Sequence, residues 1–267
     1  MQNTPKGLIN IFFKGVTRMA GHSKWANIKH RKAAQDAKKG KVFTKVAREI
    51  TVAAKEGGGD PDMNPRLRLA LDKAKAVNLP KDNVERAIKK GTGEGNEASY
   101  EDVTYEGYGP GGVAILVKTL TDNRNRTVAE VRSTLTKKGG SMGEAGCVAW
   151  IFEQKGLLEI AKDKADEEKL LEEALEAGAE DVVDDGDVFA VYCEYSDFMD
   201  VKTALEEKGY SFEFAEITMK PKNSVPVNAE DLRKLMNITD SLEDLDDVQE
   251  VYSNFEADDE VMSQLED

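Results

Sequence analysis

Between Phe43 and Ala54, the apolar side chains Phe43, Val46, Ala47, Ile50, Ala53 and Ala54 recur at steps of three and four residues. That spacing lines one face of an α-helix. The expected helix ends at the glycines of 57–59 and at Pro61, which disfavour its continuation. Asn64 followed by Pro65 supplies an N-cap and a first helical position for a second helix, whose stripe is Leu67, Ala70, Leu71, Ala74 and Val77. A third, short helix is expected from Pro80. It buries Val84, Ala87 and Ile88 and stops at Gly91, a residue able to take the left-handed conformation that closes helices. Residues 19–91 therefore predict a helical domain.

After 91–98 the period changes. Residues 113–120 form a β-rich apolar run, 127–138 predict a helix with Thr127 as N-cap, closed by Gly139 and Gly140, and 147–152 predict another strand. From 156 to 221 the predicted order is strand (157–161), helix (167–177), strand near Val182, an Asp185-Gly186 turn, strand (188–195), helix (199–208) and strand (211–219). This is a βαββαβ pattern of the ferredoxin-like type, with Asp-Gly as its hairpin signal. A helix at 229–242 and a strand at 248–255 are then placed to complete the sheet begun in 98–153. The expected architecture is α+β and multidomain, a helical N-terminal domain plus two α+β (ferredoxin-like) domains, one inserted in the other. The expected boundaries are 19–91, 92–153 with 222–258, and 154–221, flanked by an extension at 1–18 and an acidic tail at 259–267.

Charge changes this picture more than composition does. The chain of 267 residues carries a net charge of -14, which by itself argues against a polyanionic partner. The average conceals a division. Residues 19–90 hold 18 Lys and Arg against 8 Asp and Glu, whereas from Gly91 onward the count is 16 against 43. Such asymmetry points to a nucleic-acid or acidic-partner surface at one end. No apolar run approaches the roughly 18 residues that span a bilayer, so a soluble protein without membrane partners is expected. The two cysteines, Cys147 and Cys193, have neither zinc-ligand nor redox spacing and read as packing residues of a cytoplasmic protein. Gly7 to Phe13 is apolar with basic flanks, so 1–18 imitates a targeting segment. The short apolar core and the start offered by Met19 favour an extension instead.

Seats for catalysis are sparse. Gly107, Gly109 and Gly112 spell GxGxxG, but a strand follows where a dinucleotide site needs a helix, so a hairpin or loop cluster is the expected reading. No phosphate-binding GxxxxGK loop is present. His22 and His30 are the only histidines, both in a basic segment, and the acid pairs read as turn and helix-surface residues. No catalytic residue, metal, cofactor or small-molecule substrate is expected.

The binding chemistry lies in a run from Gly21 that reads GHSKWANIKHRKAAQDAKKGKVFTK. Lys24, Lys29, Arg31, Lys32, Lys38, Lys39, Lys41 and Lys45 share it with one acid, Asp36, and Arg48 follows. Cations gathered in this way neutralise phosphates and release counterions. Trp25 and His30 add rings able to stack on unpaired bases, although Trp25 with Ile28 serves equally to anchor the segment on the helical domain. A second basic spot comprises Arg124, Arg126, Arg132, Lys137 and Lys138, with Lys118 nearby. Arg124 and Arg126 at a helix N-terminus resemble a phosphate clamp, and the glycine-rich loop 139–146 would admit a partner close to its backbone.

The motifs AGHSKWANIKHRKAAQDAKKGKVFTK from Ala20, TDNRNRTVAEVR from Thr121 and GSMGEAGCVAWIF from Gly140 resemble the YebC family across residues 19–255. The resemblance implies three domains and a role in gene expression. Bacterial members are described as probable transcriptional regulators that bind DNA; related members, including a mitochondrial translational activator of cytochrome c oxidase, act in translation, and some relieve ribosome stalling at proline-rich stretches. The expected protein is a non-catalytic nucleic-acid-binding regulator whose partner is DNA, or ribosomal or transfer RNA on the ribosome. The alternative is a protein–protein adaptor with a basic helical domain and acidic α+β modules.

Overall fold

The computed structural model describes residues 39–93 and 100–264. The first apolar stripe forms α1 (Lys39–Gly57), followed by α2 (Pro65–Ala76) and α3 (Lys81–Gly91). Val46, Ile50, Ala53, Leu67, Ala70, Ala74 and Ala87 make their common core. Asn64 caps α2 as its position predicts, accepting a hydrogen bond from the Leu67 N–H at 3.0 Å. Its side-chain amide also donates to the carbonyls of Ala53 at 2.7 Å and Gly58 at 2.9 Å, so one buried residue ties the end of α1 to the start of α2. The role expected of Gly91 is corrected. It is the last helical residue of α3, and the left-handed conformation falls to Gly93, at φ 108°. A methyl group at Gly91 would fall on the Thr51 carbonyl oxygen and within 2.7 Å of Ala54 Cβ; glycine is what lets α3 approach α1.

The first sheet joins distant parts of the chain. Strands β1 (Glu101–Tyr108), β2 (Ala114–Thr121), β3 (Ser141–Met142) and β9 (Val248–Ser253) are antiparallel in the order β3-β1-β2-β9. One face, with Ile115 and Val117, packs against Val131 and Leu135 of α4 (Arg124–Lys137) and against Leu232, Leu235 and Ile238 of α7 (Ala229–Glu243). The glycine cluster lies at a hairpin, as expected. Gly107 pairs with Ile115 within β1–β2, and Gly111 and Gly112 turn the chain at φ 70° and 77°.

The opposite face, with Ala114 and Leu116, is covered by Val148, Ile151 and Phe152. The strand expected at 147–152 is thereby corrected. Ala149–Ile151 is a single 3₁₀ turn, and β4 (Phe152–Ala161) begins only after it. The N–H groups of Gly146, Val148 and Ala149 bond to the Glu106 carboxylate instead of entering a ladder, so the apolar run serves as a lid on a sheet. Cys147 accordingly lies half-buried in a turn, whereas Cys193 is buried in a strand as expected.

Inserted in sequence between β3 and α7, β4 is followed by α5 (Glu167–Glu176), β5 (Asp181–Asp185), β6 (Val188–Glu194), α6 (Phe198–Glu207) and β7 (Phe214–Pro221). Their antiparallel order β5-β6-β4-β7 is that of a split βαββαβ unit. Gly186, at φ 67°, supplies the Asp-Gly turn. Leu158, Ile160, Leu170, Val191, Phe198 and Leu205 form its core. Short β8 (Val225–Pro226) and β10 (Phe255–Glu256) pair in parallel, and α8 (Asp259–Ser263) follows. The fold is α+β and multidomain, a helical N-terminal domain with two α+β domains, one inserted in the other.

Candidate nucleic-acid interface

Of the basic run, Lys24, Trp25, Lys29, His30, Arg31, Lys32 and Lys38 lie outside the described residues, and Lys39 is the first residue of α1. The rest of α1 faces the C-terminal end of α7. Lys41 Nζ donates to the Asp244 carbonyl at 2.9 Å, and Lys45 Nζ to the Glu243 carbonyl at 2.6 Å. The last carbonyls of a helix have no partners within it and carry partial negative charge, so ammonium groups settle there. A carbonyl is no counter-charge, and Lys41 remains exposed. Arg48 is committed more deeply. Its guanidinium donates to the carbonyls of Leu120 and Asp246 and to Asp247 Oδ1 at 2.8 Å, and packs over the Tyr100 ring.

Asp247 is the hub of this contact, with its side chain 2% exposed. Besides Arg48 it receives the Arg126 guanidinium at 2.6 Å and the Thr127 hydroxyl at 2.7 Å. Burial alone would raise its carboxyl pKa. The hydrogen bonds from Thr127 and Arg126 and the charges of Arg48 and Arg126 outweigh burial and hold it below the ordinary Asp value. Thr127 is therefore not the N-cap of α4. Asn123 caps it, its side chain accepting from the Arg126 N–H at 3.1 Å, while Thr127 lies a turn later and points inward.

The two arginines expected to clamp phosphate have carboxylate partners. Arg124 Nε lies 3.1 Å from Glu101, and Arg126 pairs with both Asp122 and Asp247. Arg132, Lys137 and Lys138 differ. All three are exposed at or beyond the second half of α4, and no ion pair joins them among the described residues. Lys138 donates only to the neutral side chain of Asn237, at 2.9 Å. Lys137 and Lys138 lead directly into the glycine-rich loop.

That loop is rigidly organised. Glu106, buried on β1, accepts the N–H groups of Gly146 and Val148 at 2.6 Å and of Ala149 at 2.7 Å. Burial would raise its pKa, but the three amide bonds dominate and lower it, so the carboxylate is held charged. The outer side carries Tyr108 and Trp150, both exposed.

A second feature lies where the three units meet. Lys73 of α2 stands 2.8 Å from Glu250 of β9, 3.5 Å from Glu49 of α1 and 4.0 Å from Glu216 of β7, beside a cavity of about 330 Å³. Burial and the neighbouring Glu250 push the Glu216 carboxyl up against the opposing pull of Lys73. Three acids gathered on one lysine bind the units together and form no phosphate site. Among the described residues no group of His, Cys, Asp and Glu is placed to hold a metal ion, and no helix is long and apolar enough to cross a membrane.

The structure thus leaves Lys137 and Lys138 exposed where α4 runs into the loop, with Arg132 exposed earlier on the same helix, and separates from them Arg48 and Arg126, which meet at Asp247. Asp247, Glu106 and Lys73 were not legible as site residues, since nothing local distinguishes them from other acids and lysines. Glu106 also lies in β1, a strand not predicted from the sequence, where the first expected strand begins at 113.

Comparison with known proteins agrees with this architecture. Residues 23–94 match the family model of the TACO1/YebC protein N-terminal domain, and residues 100–255 that of the TACO1/YebC second and third domain. A probable transcriptional regulatory protein of Geobacter sulfurreducens is 60% identical over 247 residues, covering 92% of this chain and 100% of the relative. One from Dictyoglomus thermophilum is 56% identical over 248 residues, with 92% and 100% covered. The crystal structure of a conserved hypothetical protein from Aquifex aeolicus superposes with a TM-score of 0.77 at 48% identity, covering 84% of this chain and 93% of that one. With both family models matched in sequence order over nearly the whole described chain, and relatives this similar end to end, the protein belongs to the TACO1/YebC family.

Proposed function

We propose that this chain is a non-catalytic regulator of gene expression that acts by binding nucleic acid. The observation that carries the reading is the set of exposed cations of α4 and its end without carboxylate partners among the described residues, Arg132, Lys137 and Lys138, the last two adjoining the glycine-rich loop. Elsewhere on the acidic modules Lys155, Lys162, Lys164 and Lys208 are each paired with a carboxylate. The basic run from Lys24 to Lys39 adds cations of the same sign, and the relatives named as probable transcriptional regulatory proteins support the regulatory role. The acidic remainder repels bulk phosphate, so only selected tips meet a sugar-phosphate chain and the molecule docks in one orientation. This favours a partner with defined shape, such as structured RNA of the translation machinery, over uniform duplex DNA.

The test is a titration of the full chain with ribosomal RNA and with duplex DNA across salt. Each neutralised phosphate contributes about 0.7–0.9 to the log–log slope, so three or more contacts give a slope of about -2 or steeper. Reversing Lys137 and Lys138 to Glu should flatten it by about 1.5. A slope near zero overturns the proposal. Tighter binding to RNA than to DNA supports the RNA assignment, and the reverse order transfers the function to DNA.

A further inference from the structure

We infer that Tyr108 and Trp150 form a stacking platform for an unpaired nucleobase, a site that rests on the nucleic-acid reading above and specifies how the glycine-rich loop is used. The argument begins with what holds the loop. Glu106 is 7% exposed and its carboxylate accepts three backbone N–H groups, from Gly146, Val148 and Ala149, with no ion pair to a cation among the described residues. Burying a charge is costly unless hydrogen bonds satisfy it. Three charge-assisted bonds to one short segment offset that cost by fixing the backbone from Gly146 to Ala149 against β1.

The fixed segment aims a single atom. The carbonyl oxygen of Cys147 accepts the indole N–H of Trp150 at 3.1 Å and the phenol O–H of Tyr108 at 3.2 Å. Two aromatic side chains from separate elements therefore converge on one acceptor. Their polar edges are satisfied by protein, and their rings stay in water, Trp150 at 65% exposure and Tyr108 at 38%. A singly exposed aromatic needs no explanation. Two anchored on one oxygen, in a loop held by a buried charge, form a preorganised apolar surface whose ordering cost is met before any ligand arrives.

What lies around the rings selects the occupant. Gly139 and Gly146, at φ 91° and 86°, face open space and present no side chain to a ligand, whereas a side chain at Gly140 or Gly143 would run into Leu135 and Ile238 or into Cys147. Gly140 packs against the Tyr108 carbonyl, and Ser141 pairs with Tyr108 in the sheet, so the end of α4 adjoins the platform. Lys137 and Lys138, which precede these residues, bring uncompensated positive charge to its edge. Flat rings beside cations, with slender backbone between, suit a base and its phosphate. An apolar peptide would gain nothing from the lysines. Sequence-tolerant stacking of this kind is what single-stranded segments offer and duplexes withhold.

The experiment uses the full chain with Trp25→Phe, in which Trp150 is the sole indole, and reads its emission during titration with oligoadenylate RNA, with a duplex RNA, and with heparin, a polyanion without bases. Binding is followed in parallel by a labelled-ligand anisotropy. The expected result is quenching by the single strand and not by heparin. Trp150→Ala should weaken single-strand binding about tenfold or more while heparin affinity stays unchanged, and Trp150→Phe should keep most of the affinity. Single-strand binding without quenching overturns the platform and leaves the nucleic-acid function standing. Equal loss of heparin and RNA binding in Trp150→Ala assigns the ring to the loop's own folding and also overturns it. No binding to any of the three polyanions overturns both readings.

Discussion

Asp247 shows how much one carboxylate can decide. Its burial would be unfavourable were it not for Arg48, Arg126 and Thr127, which reach it from α1 and α4. Replacing it with Asn keeps the shape, removes the charge, and leaves the half-buried Arg48 facing a neutral group. Removing one partner of such a buried pair costs about 3–5 kcal/mol; because Arg126 is partly exposed, about 3 kcal/mol is the expected loss. Urea unfolding of Asp247→Asn should show a lower midpoint with an unchanged slope. The pH dependence has a definite sign. The folded-state pKa is depressed, so the stabilisation is complete above the unfolded value near 3.9 and is lost as pH falls through the folded one. In acid, the wild-type protein and Asp247→Asn should therefore converge in stability, and a constant difference between them down to the acid transition would contradict the assignment.

At the scale of elements, two close fits lead to two predictions. Gly91→Ala places a methyl on the Thr51 carbonyl and near Ala54, and neither is the flexible end of a side chain. Overpacking of this kind costs about 1–3 kcal/mol, more than Ala gains over Gly as a helix former. Calorimetry should show a lower Tm for Gly91→Ala; an unchanged or higher value would mean that α3 shifts freely away from α1. Glu106→Gln tests the other fit. The amide cannot accept all three N–H groups and turns a donor toward at least one of them, so about 2 kcal/mol or more of local stability is lost. Hydrogen exchange at Gly146, Val148 and Ala149 should speed up by more than tenfold, while amides of the β4–β6 ladder keep their protection. Uniform acceleration across the chain would deny the carboxylate its local role.

The whole molecule is held at the point where its units share Lys73. With that ammonium removed, Glu49, Glu216 and Glu250 face one another across the junction. Lys73→Met should lower stability by about 2–4 kcal/mol at about pH 8. The loss should shrink near pH 5.5. Glu216 already binds its proton more tightly than an ordinary carboxyl because it is buried beside Glu250, and a raised carboxyl pKa penalises the fold as pH rises through it and spares the fold below. A pH-independent loss would place the role of Lys73 in packing of its stem. The same scale explains why net charge misled. The basic end of an acidic chain is partly consumed in docking, through Lys45 and Arg48, and the surface left for a partner is smaller than the count of cations implies.

Local periodicity determined the helices of the N-terminal unit, the βαββαβ order and the return of 229–255 to the first sheet, and local residue chemistry determined the Asn64 cap and the Asp-Gly turn. Burial on one face repeats at 3.6 or 2 residues whatever the partner is, so those patterns survive in sequence. Tertiary structure decided the rest. Arg48 meets an aspartate 199 residues away, Thr127 yields its expected cap to Asn123, the apolar run at 147–152 becomes a lid because its amides belong to Glu106, and Gly91 serves a helix crossing. Each of these depends on which distant group arrives at a given point. A carboxylate that neutralises a guanidinium or binds a row of amides looks, along the chain, like any other acid, and only folding shows which charges are cancelled and which remain for a partner.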